Sequence, residues 1–185
     1  MRLGGARPFG DEPVRQSGHR SSRVREAGTD PSIPSSTTVP SSWTIDAGRA
    51  FIDRQRNRIE SGEGISLAIH AFNPDRTVGL VSMMLRRQPG VIGLGYWVVP
   101  SARQRGFARR AAILAGDWAV GSGGFARIEA WVEPDNQPSQ SVLTAAGFEL
   151  EGRRYPDPQR RQRAFEGRQG DRPEEQAVQI GQETV

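Results

Sequence analysis

The run Val91-Ile-Gly-Leu-Gly-Tyr-Trp-Val-Val-Pro100-Ser-Ala-Arg-Gln-Arg-Gly-Phe-Ala108-Arg-Arg-Ala-Ala-Ile-Leu-Ala115 changes its period halfway along. Up to Val99 it is apolar and rich in β-branched and aromatic residues, as a buried strand requires. Pro100-Ser101 opens a helix expected over about 102–120, where Ala108, Ala111, Ala112, Ala115, Trp118 and Ala119 form one apolar stripe. Gly121-Ser-Gly-Gly124 stops it. Arg127–Glu133 reads as a further strand, with Ile128, Ala130 and Val132 on one face and Arg127, Glu129, Trp131 and Glu133 on the other. Strands joined by so long a helix predict parallel neighbours, because no hairpin can connect them.

Working outward, Thr44 or Asp46 can cap a helix to about Glu60, with Ala47, Ala50 and Phe51 on one face and Arg54 and Arg58 laid beside them. Ile65–Phe72, Thr77–Arg86 and Val91–Val99 are strand-like runs separated by turns at Asn73-Pro-Asp-Arg76 and Gln88-Pro-Gly90, which predicts an antiparallel meander. Downstream, Pro138 suits the first turn of a helix ending before Gly147, and Phe148–Tyr155 reads as a last strand. The expectation is an α/β (α+β) fold, a mixed, mostly antiparallel sheet flanked by helices, occupying residues 43–155.

The ends read differently. Residues 1–42 are rich in Arg, Gly, Pro and Ser, with neither helical nor strand periodicity, and are expected to be poorly ordered. Residues 156–185 read as a polar, disordered tail, whose best strand candidate, Ala177–Ile180, is short and polar. A first and a last strand are therefore not legible.

Composition excludes several classes. Among 185 residues the 25 basic side chains are all Arg, against 21 acidic ones, for a net charge of +4. No apolar run approaches the roughly 18 residues of a membrane span, and no apolar stretch follows the N-terminal arginines as in a secretory signal, so the expected location is the cytoplasm. With no Cys there is no disulfide framework and no thiolate nucleophile; with only His19 and His70, no metal site is expected. The near balance of charge in the Arg-rich ends, and their few aromatics, argue against nucleic acid.

Arg103-Gln104-Arg105-Gly106-Phe107-Ala108 lies between a strand end and a helix start. Gly106 permits close backbone approach, first-turn N–H groups point outward with the helix dipole behind them, and Arg103, Arg105, Arg109 and Arg110 offer forked donors. This is the physics of a pyrophosphate site. A capped helix with a solvated arginine face reads equally well from the loop alone.

Here the sequence resembles the GNAT superfamily of N-acetyltransferases. Arg103-x-x-Gly106-x-Ala108 fits its R/Q-x-x-G-x-G/A acetyl-CoA signature, and Gly95-Tyr-Trp-Val-Val-Pro100 resembles the preceding strand of the RimJ/RimL-type branch. Asn136-x-x-Ser139-x-x-Val-Leu143-x-x-x-Gly147-Phe148 resembles that branch's second motif, at the expected distance. The resemblance implies acetyl-CoA as co-substrate. Its pantetheine arm would lie between the splayed 91–99 and 127–133 strands, bonding backbone near Trp97 and Val98, with a thioester-polarising N–H near Val98 or Val99. The amides of Gln104, Arg105, Gly106, Phe107, Ala108 and Arg109 would hold the pyrophosphate.

The acceptor implied is an amine, either a protein N-terminal α-amine or a small amine, attacking the thioester directly without a covalent enzyme intermediate. An α-amine with a reference pKa of about 7.7–8.0 is partly neutral at pH 7, whereas a lysine-like amine needs a base. The 91–99 strand lacks the Glu that many GNAT enzymes place there, which leaves Glu129 and then Glu133 as bases. For both, the competing reading is a solvent-facing strand glutamate paired with Arg127 or a neighbour. Ser139 is the candidate donor of a proton to the departing thiolate, or else an ordinary first-turn serine. Asn136 would contact pantetheine or simply cap its helix. Tyr155 is a further acid, and His70 reads as a strand-face histidine. Two rival functions remain at this level: a degraded or regulatory GNAT-like protein that binds CoA without turnover, and a nucleic-acid-binding module using the Arg-rich ends.

Overall fold

The computed structural model describes residues 23–72, 75–154 and 177–183. Helical backbone at 23–28 (α1) and Ser32–Ser36 (α2) leads into α3, Ile45–Glu60. Three strands follow, β1 (Gly64–Phe72), β2 (Asp75–Leu85) and β3 (Val91–Val98), then α4 (Phe107–Val120), β4 (Arg127–Val132), α5 (Gln137–Ala145), β5 (Glu149–Arg154) and β6 (Ala177–Glu183).

The six strands form one sheet in the order β1-β2-β3-β4-β6-β5. β1, β2 and β3 make the expected antiparallel meander, and β3 and β4 are the expected parallel pair. Successive side chains alternate between faces. Ser66 of β1 bonds Gln55 of α3, while Leu67, Val81 and Met83 line a groove with α4. α3 therefore covers one face of the sheet. α4 covers the other, with α5 packed beside it.

Local chemistry accounts for the elements. The Thr44 hydroxyl accepts from the Ala47 N–H at 3.0 Å and starts α3 where the sequence places it. The stripe Ala112, Ala115, Ala119 is buried, and its small side chains bring α4 close to the strands. The helix begins at Phe107 and not near 102. Pro100–Ala102 is instead a separate 3-10 turn, and Gly106, at φ 74, breaks the path between them. The i, i+3 spacing hides this break because both pieces bury a small residue, Ala102 and Ala112.

Two expectations about the ends are corrected. Within 1–42, residues 23–42 are ordered: Val24, Ala27, Ile33 and Val39 are buried in the common core. Each contributes a single apolar contact between polar or proline neighbours, so no periodicity accumulates and the order comes from tertiary packing. In the tail, Ala177–Glu183 forms β6, which is wedged between β4 and β5 and pairs with both, from Arg127↔Glu183 to Val132↔Val178 on one side and from Glu149↔Gly181 to Arg154↔Ala177 on the other. A strand flanked on both edges draws its stability from backbone ladders as well as side chains, so a polar sequence serves. Residues 1–22, Tyr155 and the rest of the tail, expected respectively to be poorly ordered, a further acid and disordered, lie outside the described residues. No helix among the described residues is long and apolar enough to cross a membrane.

Candidate active site

The parallel pairing of β3 and β4 runs only from Val91↔Arg127 to Leu94↔Ala130, yet β3 continues to Val98 and β4 to Val132. The strands splay. A cleft of about 410 Å³ occupies the opening, lined by Gly95, Tyr96 and Trp97 of β3, Ala130–Val132 of β4, and Asn136, Ser139 and Leu143 around α5. It continues to the other face of the sheet, against Phe51, Gln55 and Arg58 of α3.

Alternation along β3 decides which backbone groups face the opening. The Val99 N–H donates to Val78 at 2.9 Å and Val91 accepts from Arg86 at 3.1 Å, so odd-numbered residues of β3 face β2. Val99 is thus committed to β2 and is not a free oxyanion donor. Trp97 faces the same way and lends the cleft its side chain only. The even-numbered residues face β4, and beyond Leu94 no β4 partner remains for Tyr96 and Val98. The carbonyl of Val98 accepts from Arg103 Nε at 3.3 Å, which leaves its N–H toward the opening.

The following loop is shaped by two left-handed residues, Gln104 at φ 59 and Gly106 at φ 74. Gln104 is the one non-glycine among the described residues in that region, a conformation costing about 1–2 kcal/mol. No side chain caps the first turn of α4, so its N–H groups remain available to an anion. The guanidinium groups of Arg105 and Arg110 lie 5.3 and 5.2 Å from the Phe107 ring, and Arg110 also donates to the Arg105 carbonyl at 3.0 Å. Arg109 is exposed. Arg103 is held from behind: its Nη1 lies 2.5 Å from Asp30 Oδ2, and the backbone N–H of nearby Ser101 donates to Glu26. Hydrogen bonds from Ser32, joined by Arg103, hold the Asp30 carboxyl below its ordinary pKa. The N-terminal segment thus braces the loop, a role its sequence did not announce.

Asn136 accepts from the Ser139 N–H at 3.1 Å and caps α5, while also lining the cleft. The Ser139 hydroxyl lies 2.7 Å from the Tyr96 hydroxyl, which also donates to the Ser139 carbonyl at 3.2 Å. Burial pushes the Tyr96 phenol up to about 12, so it stays protonated through the neutral range. Tyr96 is not among the residues expected at the site. Its even position on β3, facing the opening, was the available signal.

Glu129 is 5% exposed and is not among the residues lining the cleft. Its carboxylate lies 3.1 Å from Arg86 Nε and 3.8 Å from Arg127 Nε, and it accepts from the Trp131 indole at 2.9 Å. That is the geometry of a paired strand glutamate, but a buried one and not the solvent-facing residue expected, because Arg86 and Arg127 flank it. Glu133 is exposed and lines the cleft; His70 faces the α4 groove on the other side of the sheet, 3.5 Å from the Thr77 hydroxyl.

A splayed parallel pair, with an uncapped helix N-terminus beyond one strand and a cleft passing through the sheet, is the arrangement that the resemblance to the GNAT superfamily implies. The chain belongs to the GNAT acetyltransferase family: the family model described as "Acetyltransferase (GNAT) domain" matches residues 21–149. The Bacillus subtilis protein named "Probable N-acetyltransferase YjcK" is 31% identical over 112 residues, covering 60% of this chain. The chain spans 62% of the length of that curated relative. Among solved structures, Mycobacterium smegmatis RimJ in complex with CoA-disulfide superposes with a TM-score of 0.67 at 19% identity, covering 96% of this chain and 80% of that one. The ribosomal-protein-S5-alanine acetyltransferase from Vibrio fischeri gives 0.67 at 15% identity, covering 96% and 91%.

Proposed function

We propose that the protein is a cytoplasmic enzyme that transfers an acetyl group from acetyl-CoA to an amine, either a protein N-terminal α-amine or a small amine, by direct attack within a ternary complex. The observation that carries this reading is the opening of β3 from β4 after Leu94↔Ala130, which takes Tyr96 and the Val98 N–H out of pairing with β4, beside a cleft open to both faces. Bound acetyl-CoA would supply an activated thioester. Tyr96 and Val98 would bond its pantetheine arm as an added strand would, and the Val98 N–H would polarise the thioester carbonyl. The amides of residues 104–109 would hold the pyrophosphate.

The acceptor would enter from the α3 side. With Glu129 tied to Arg86 and Arg127, an α-amine that is already partly neutral is the better acceptor, because it asks least of a base. The Ser139 hydroxyl, oriented by the Tyr96 phenol, would donate a proton toward the departing thiolate. No Cys is present to carry a covalent acyl group, which leaves proximity within the cleft as the main contribution. Acetyl-CoA-dependent release of free thiol, screened over amines and N-terminal peptides, tests the reading. Acetyl-CoA should raise the melting temperature and at least one acceptor should release CoA. A protein that ignores acetyl-CoA in both assays would overturn it.

A further inference from the structure

The end of the cleft on the α3 side holds a cation that makes no ion pair among the described residues, Glu63 acting on it only from beyond contact distance. Arg58 Nη1 donates to Gln55 Oε1 at 2.6 Å and to Ser66 Oγ at 3.3 Å, and Ser66 Oγ donates to Gln55 Oε1 at 2.9 Å. Gln55 is itself anchored, its amide donating to the Phe51 carbonyl at 3.2 Å, and both Gln55 and Ser66 are buried, at 1% and 0% exposure. The guanidinium is therefore fixed in position by neutral acceptors. Among the described residues no carboxylate lies within ion-pair distance of Arg58, whereas Arg86, the other arginine of the cleft, shares Glu129. Desolvation by burial pushes the Arg58 pKa down, and nearby Arg54 adds to this, while Glu63 offsets it only in part. A planar fork pinned on one nitrogen leaves its remaining N–H groups for a bidentate partner.

Register places this cation relative to the opening. Ser66 pairs with Ser82, and Ser82 with Gly95, the first β3 residue beyond the last β4 pair. Two interstrand steps of about 4.8 Å set Ser66 roughly 10 Å from that point. An amine at the opening and an anion on Arg58 would then be separated by several bonds, more than the α-carboxylate of a free amino acid spans.

We propose that Arg58 anchors a carboxylate of the acceptor, so that the preferred substrates are amines bearing an acidic group several bonds away, such as N-terminal peptides with an early acidic side chain. This rests on the acetyl-transfer reading for its chemistry, but binding can be read without turnover. The probes are tripeptide amides carrying Glu at position 1, 2 or 3, each matched with its Gln counterpart. They are titrated calorimetrically into protein saturated with CoA and assayed for thiol release with acetyl-CoA. At one position the Glu peptide should bind at least tenfold tighter than its Gln partner and show a similarly higher kcat/KM. In Arg58→Gln that ratio should fall to near one, while the acetyl-CoA shift in melting temperature persists. Should that variant fail to fold, Arg58→Lys, which keeps the charge and loses the fork, should lower the ratio at least threefold. Equal values for Glu and Gln peptides at all three positions, no binding of either set, or a ratio that survives both substitutions overturns the anchor. A Glu preference in binding with no thiol release from any peptide overturns acetyl transfer and leaves the anchor standing.

Discussion

Arg86 Nε lies 3.1 Å from Glu129 Oε1, and the guanidinium crosses the bare Cα of Gly93, where any Cβ would collide with it. Gly93 is also the register partner of Glu129, so the missing side chain on β3 makes the room in which Arg86, just past the end of β2, reaches a β4 carboxylate. The same device recurs one strand further on. Arg127 bonds Glu151 across Gly181, the β6 partner of Glu129. Arg86, Glu129, Arg127 and Glu151 thus form a row of alternating charge across β3, β4 and β6, fastening the late strand into the sheet.

From this row follows the expected behaviour of Glu129→Gln. A group that holds two guanidinium groups in a buried row contributes to stability, and removing its charge should cost about 2 kcal/mol, less than a fully buried pair because Arg86 reaches solvent. The melting temperature should fall, while the pH dependence of kcat/KM keeps its shape. A lost acidic limb in the pH profile with an unchanged melting temperature would return Glu129 to the role of general base.

Gly106→Glu addresses the loop. The residue sits at φ 74, and a Cβ there would come within 2.8 Å of Arg110 Nη1, so any side chain strains the turn by about 1 kcal/mol or more. Glutamate adds bulk and negative charge where the pyrophosphate is to sit. The variant should lose the acetyl-CoA-induced rise in melting temperature, whereas Gly106→Ala should retain part of it. Undiminished stabilisation of the glutamate variant would remove the loop from the binding site.

What could be read in advance was what local pattern encodes. The Thr44 cap, the meander of β1 to β3, the parallel step to β4 and the Asn136 cap all rest on near-neighbour spacing. What escaped rests on contacts between distant segments. Val24 and Ile33 are buried by tertiary packing, not by a stripe of their own, and β6 holds its place through ladders on both edges. The same limit applied to the site. The strand position of Glu129 was read correctly, but Arg86 reaches it only through the gap at Gly93, and Tyr96 meets Ser139 across 43 residues of sequence.

Tyr96→Phe separates proton donation from packing. Burial raises the phenol pKa from its ordinary 10 to about 12 in the folded protein. The folded state therefore holds this proton more tightly than the unfolded chain does. The associated stability is fully present below pH 10 and is lost as pH rises from 10 toward 12. In denaturant titrations the wild type should weaken more steeply over that window than Tyr96→Phe. At neutral pH the variant should keep its affinity for acetyl-CoA and lose about tenfold or more in kcat, with Ser139→Ala showing a loss that is not additive with it. Additive losses would separate the two hydroxyls into independent roles.

Asp30→Asn tests whether the N-terminal segment serves the loop it touches. Asp30 lies 2.5 Å from the Arg103 guanidinium, and Glu26 accepts from the Ser101 N–H at 3.2 Å, so two carboxylates grip the turn between β3 and α4. Burial alone would raise the Glu26 pKa, but bonds from Ser101 and Arg23 more than offset it and leave it lowered; hydrogen bonds from Ser32, with Arg103, lower that of Asp30. Both groups thus contribute stability above their ordinary pKa values and lose it as pH falls through the lowered ones. Acetyl-CoA affinity of the wild type should hold through the ordinary carboxylate range and decline only at lower pH, where these lowered carboxylates take up protons. Asp30→Asn should weaken acetyl-CoA severalfold already at pH 7, because Arg103 then loses its ionic partner, while global stability changes by about 1 kcal/mol or less at this partly exposed pair. Equal affinity in the variant and the wild type at pH 7 would reduce the segment to a packing role.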